Sequence, residues 1–165
     1  MSATAHPRHS LTLALAREAE AAMRVADYLA QSTAQALDEL IDRVHEDAQP
    51  VGLLLAFEGW QAADEEAQLQ MGEVEHAARH LFARMRRGGY ASPAAVAQHL
   101  QALPPVLQAA APAWHALRTA CQTDTDLIAA CDAYAARRAA QDEADVRMCS
   151  ALHRLALELD GWPHP

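Results

Sequence analysis

The feature that most constrains this chain is the spacing of one set of residues: Phe57, Trp60, Asp64, Ala67, Met71, Val74, Ala78, Leu81 and Met85. The intervals alternate three and four throughout, a period that returns every member to one line on an α-helix. All members except Asp64 are apolar, so the line is a seam that other helices must cover. A strand, with its period of two, would send many of these side chains to the opposite face. Taking Phe57 as a heptad a position and Trp60 as d gives every other residue of the stretch a facing.

Similar periodicity runs through the rest of the chain. A first helix is expected from about Leu11 to Asp47, with Leu11, Leu15, Ala22, Val25, Leu29, Ala36, Leu40 and Val44 on its apolar face. Gln49-Pro50 ends it, because the residue before a proline is driven out of the α region. Pro50 then suits the first turn of helix two, and Gly88-Gly89 closes that helix. Ser92-Pro93 opens a third helix, whose seam reads Val96, Leu100, Leu103, Leu107, Ala110, Trp114, Leu117 and Cys121. Interior prolines remove a hydrogen bond and clash with the preceding turn. Pro104, Pro105 and Pro112 therefore predict a kinked or broken third helix, divided into residues 93–102 and 105–120. The cluster Thr123-Asp124-Thr125-Asp126 caps a fourth helix that runs to about Asp160. Its seam is Leu127, Cys131, Tyr134, Arg138, Gln141, Asp145, Met148, Leu152, Leu155 and Leu159. The expectation is an all-α fold: an antiparallel up-down-up-down four-helix bundle of coiled-coil-like seams. It forms one domain over residues 1–165, with frayed ends at 1–10 and 161–165.

Composition agrees, since alanine abounds and β-branched and aromatic residues are few. All thirteen basic residues are arginine, a bias that fits a GC-rich, bacterial genome. A net charge of -9 argues against general nucleic-acid binding, which needs clustered positive charge. No segment has the apolar core of a signal peptide or the length of a membrane span, so a soluble cytoplasmic protein is expected. Cys121, Cys131 and Cys149 have no metal-ligand spacing and read as reduced thiols.

The charge is unevenly placed: no acid occurs between His76 and Thr123, where Arg79, Arg84, Arg86 and Arg87 lie. Arg84, Arg86 and Arg87 complement the dipole at the end of helix two. As a group, the four arginines are also a candidate patch for an acidic partner or for self-association into a homo-oligomer.

Glu73-Val74-Glu75-His76, an ExxH, resembles half of the carboxylate di-iron motif of ferritin-like bundles. His76 and His80 also have the i, i+4 spacing at which two imidazoles share an ion such as iron or zinc. Their facing argues against an internal site, because Glu73, His76 and His80 fall at the outward c, f and c positions. A hemerythrin-like site would equally need inward ligands. What remains is a surface metal site at Glu73, His76 and His80, set against a solvated polar face. No catalytic residue is named: Ser150 and His153 lack an oxyanion hole, and Gly88-Gly89 follows a helix instead of preceding one.

The seams carry a polar belt. Asp64 and Arg138 lie equally far into helices two and four, and two such charges taken out of water demand each other. Gln141 and Asp145 extend the belt, with Asp27, Arg24 or His99 able to meet Asp145. Its two readings are a register-fixing ion pair and a small polar pocket, or a bundle that opens to a partner helix. The expected function is a non-catalytic interaction protein, an adaptor, chaperone or oligomerising scaffold without a cofactor. The alternative is a metal-binding or redox-linked bundle using iron or zinc. Ala56-Phe57-Glu58-Gly59, with Ser92-Pro93 followed by Gln98, Leu100 and Gln101, resembles phasins. That resemblance implies a helical protein coating polyhydroxyalkanoate granules.

Overall fold

The computed structural model describes residues 7–88 and 91–161. They form four helices, α1 (Pro7–Glu46), α2 (Val51–Arg86), α3 (Ala94–Ala120) and α4 (Thr125–Asp160), and no strand occurs among the described residues. Of the ends expected to fray, residues 1–6 and 162–165 lie outside the described residues. Residues 7–10 are instead the first turn of α1, for which Pro7 is preorganised.

Local chemistry sets the boundaries. Gly88 adopts φ +78° just past the end of α2, a left-handed turn that glycine takes without a Cβ penalty. Gly89, the second glycine of that stop signal, lies outside the described residues. The Ser92 hydroxyl accepts from the Ala94 amide at 3.3 Å, but the N-cap position of α3 is Pro93 and not Ser92, so the helix begins one residue later than expected. Asp124 Oδ1 accepts from the amides of Asp126 and Leu127, both at 3.0 Å, and caps α4.

The expected division of α3 does not occur, since residues 94–120 form one helical segment with all three prolines inside it. Pro104, Pro105 and Pro112 are all exposed. Their rings meet solvent instead of a neighbouring helix, and water can satisfy carbonyls that lose an amide partner on that side.

α1 packs most extensively on α4, and α2 on α3; the α3–α4 and α1–α2 contacts are sparser. The seam of α2 is buried from Phe57 to Leu81, with Met85 half-buried. In α1 the expected face needs correction. Its buried line is Thr12, Ala16, Ala19, Met23, Ala26, Thr33, Ala36, Leu40 and Val44, while Leu11 and Val25 are exposed and Leu15, Ala22 and Leu29 half-buried. Small side chains let two helices approach closely, so alanines take the contact line and larger residues flank it.

Buried apolar side chains collect in two clusters. One draws on the first half of α1, the second half of α2, the first half of α3 and the second half of α4. The other draws on the complementary halves and includes Leu40, Phe57, Trp60, Leu117, Leu127 and Tyr134. Between them lie the buried polar residues Thr33, Asp64, Gln141 and Asp145.

The corrected facing of α1 gives opposite expectations for two substitutions. Ala19→Leu overfills a closed contact and lowers stability by about 1–3 kcal/mol, whereas Val25→Ala stays within about 0.5 kcal/mol. Urea unfolding of both variants checks this, and the reverse order would restore the larger residues to the core face.

Candidate functional site

Asp64 is an a-position residue of α2 and so is carried inward by the same period that buries Phe57 and Met71. Its Oδ1 accepts from Arg138 Nη1 at 3.1 Å, and its Oδ2 accepts from the Tyr134 hydroxyl at 3.4 Å. Tyr134 and Arg138 are i, i+4 neighbours on α4 and therefore reach the same carboxylate. Arg138 Nε donates to Asp142 Oδ1 at 2.7 Å, one turn further along. Gln68, turned with its amide oxygen toward Arg138, accepts from Nη2 at 2.8 Å and from Nη1. The guanidinium thus holds two carboxylates and an amide, and little of its donor set is left over.

The belt continues through the buried Gln141 to the buried Asp145, one turn further along α4. Burial, countered by Arg138 and reinforced by Asp142 and Asp27, pushes the Asp145 carboxyl up to about 6. Glu75 of α2 is pushed up to about 7 by burial and by the neighbouring Asp27 of α1, against the pull of Arg79. Burial also raises Asp64, with the Arg138 charge opposing it. Of the residues considered as partners for Asp145, Arg24 is exposed, and the His99 carbonyl instead accepts from Gln70 at 3.1 Å.

A cavity of about 550 Å³ opens beside this network, between α3 and α4, with α2 beneath it. Trp60, Asp64 and Met71 of α2 line it, as do Leu103, Leu107 and Trp114 of α3. The α4 wall includes Tyr134, Arg138, Asp142, Asp145, Val146 and Cys149. Leu107, Ala110 and Trp114 belong to the α3 seam, yet Leu107 is exposed and the other two are only half-buried. The helices bracketing the cavity meet at its aromatic end. There the ring centroids of Trp60, Trp114 and Tyr134 lie 5.1, 5.2 and 5.3 Å apart in pairs, in tilted and edge-on arrangements.

The other sequence candidates lie elsewhere. Glu73, His76 and His80 are all exposed on α2, and the two imidazoles meet edge to face with centroids 4.6 Å apart. Among the described residues, no group of three or more His, Cys, Asp or Glu is arranged to hold a metal ion. Arg79 pairs with Asp27, and Arg86 with Glu20, across the α1–α2 face, and Arg79 also pairs with Glu75 within α2. Arg84 and Arg87 are exposed near the end of α2. Cys121 and Cys131 are buried with their sulfurs 4.0 Å apart. Burial pushes the Cys131 thiol up to about 12 and the Cys149 thiol up to about 11, so neither is an ionised nucleophile at neutral pH. The arrangement is equipped to bind, through apolar walls and fixed charges.

Sequence reasoning missed Glu75, Gln68 and Asp142, which sit beside the seam and not on it. Its reading of the belt as a small polar pocket did not include the apolar walls that α3 contributes through Leu103, Leu107 and Trp114. Comparison with protein-family models, with curated proteins and with solved structures gives no match.

Two measurements follow from the belt. Asp64→Ala takes one of two carboxylates from Arg138, which keeps Asp142 and Gln68, and costs about 1.5–3 kcal/mol, whereas Asp64→Leu combined with Arg138→Met recovers most of that loss. Equal unfolding midpoints for wild type and Asp64→Ala would exclude a stabilising pair. Asp145 and Glu75 have folded pKa values above their unfolded ones, so the native state binds the extra protons. Their contribution is complete below about pH 4 and is lost as pH rises through about 6 and 7. The urea midpoint should therefore be higher at pH 5 than at pH 7.5, with the difference reduced in Glu75→Gln; a midpoint that climbs with pH across this window contradicts the assignment.

Proposed function

We propose that the protein is a non-catalytic helical-bundle binding protein that holds a small, largely apolar ligand in the groove between α3 and α4. The observation that carries this reading is the uncovered seam. Leu107, Ala110 and Trp114 continue the heptad pattern that elsewhere marks buried contacts, yet here they line an open cavity of about 550 Å³. Such a volume lies within the range of small-molecule sites, which are typically apolar with a few fixed polar groups.

The polar network supports the same reading, because Asp64, Arg138 and Tyr134 are held by one another and would give a ligand a preorganised wall.

The reading includes a path for the chain. Successive helices contribute alternate halves to each apolar cluster, which supports an up-down-up-down course and places the groove between the last two helices.

Nile red, a neutral solvatochromic dye, tests the site. Saturable binding at one dye per chain is expected, with Ala139→Trp weakening it about tenfold or more. Ala139 is exposed and lines the cavity, so the larger side chain obstructs the groove without disturbing the core. Absence of saturable binding, or equal affinity in the variant, would reject the groove as a binding site.

A further inference from the structure

The groove carries a charge pattern that narrows the chemistry of its occupant. Its lining includes the carboxyl groups of Asp64, Asp142 and Asp145 but one guanidinium, that of Arg138. Arg138 is already engaged by Asp64, Asp142 and Gln68. An anionic ligand would find its only cation committed and would meet an excess of carboxylates. A cation meets the opposite situation.

The partners of the three carboxylates differ. Asp64 is held by both Arg138 and Tyr134, while Asp142 receives only the Nε edge of the guanidinium and keeps its side chain 55% exposed. Asp145 is buried on the same wall, one turn from the buried, neutral Gln141. Asp142 and Asp145 lie three residues apart on α4, so their carboxyl groups neighbour one another on one helical face. At the end of the groove, Trp60, Trp114 and Tyr134 add aromatic surface, which attracts organic cations electrostatically as well as by contact. Apolar walls, aromatic rings and surplus carboxylates together match one ligand class.

We propose that the α3–α4 groove binds a hydrophobic organic cation, with its charge facing Asp142 and Asp145 and its apolar body between Leu107, Val146 and the aromatic end. The proposal rests on the groove being a binding site and adds the charge of the ligand. Net recognition is electrostatic at one point and apolar elsewhere, so affinity falls as salt screens the exposed Asp142 more than the buried Asp145.

The test uses the full chain and two probes of nearly equal shape and opposite charge, tetraphenylphosphonium and tetraphenylborate, followed by calorimetry. Ethidium serves as a planar cation and Nile red as a neutral reference. A cation is expected to bind at least about tenfold more tightly than tetraphenylborate. Asp142→Asn with Asp145→Asn should remove that preference, lowering cation affinity at least about tenfold more than it lowers Nile red affinity. Both replacements keep side-chain shape, and burial already raises the Asp145 carboxyl to about 6, so taking its charge away does not oppose the fold. If Nile red binds in the groove but neither cation exceeds the anion, the charge proposal fails and the binding site stands. If cation preference survives in the double variant, these two carboxylates are not its source and the proposal fails. If no probe binds saturably, the site itself fails.

Discussion

The ion pair between Asp64 and Arg138 governs how the rest of this bundle can be assembled. Each group lies on a seam that would otherwise be apolar, and each has little access to water. A charge in that position is tolerated only if its partner stands at the same height on another helix. The requirement sets α2 opposite α4 at this height, and the belt stands beside two apolar clusters. Buried polar seam residues are suited to holding such parts in register.

Packing on the two sides of the belt is uneven, and that unevenness makes the groove. α1 meets α4 through alanine, whose small side chain permits a close approach along nearly the whole length. α2 meets α3 through larger side chains such as Phe57, Trp60, Leu103 and Leu117. The α3–α4 contact is sparser: Leu103, Leu107, Ala110 and Trp114 stand across the cavity from Tyr134, Ala135, Arg138 and Ala139, and an apolar space remains beside the charges. Cavities inside close-packed proteins are few, and one that borders a satisfied ionic network is a natural place for a ligand.

Much of this could be read from the residues. The alternation of threes and fours located α2 and α4 and their inward faces, and it identified Asp64 and Arg138 as partners before any coordinates. The same periodicity turned Glu73, His76 and His80 outward, where the structure places them. It was less informative for α1, where alanines and threonines hold the contact line while Leu11 and Val25 face solvent. Hydrophobic size is a poor guide to facing when close approach, not side-chain volume, decides the contact. In α3 the prolines led to an expected break, but the helix runs through them with their rings on the exposed side.

The sequence by itself determined the helices, their caps and the need for Asp64 and Arg138 to meet, since these depend on period and on the cost of a lone buried charge. Tertiary structure alone decided which helices approach closely and which stay apart. That choice depends on side-chain volumes facing one another across two elements, a quantity no single helix contains. It also gathered Gln68, Asp142 and Glu75 around the seam residues, because neighbours off the seam acquire a partner only when another helix is laid beside them.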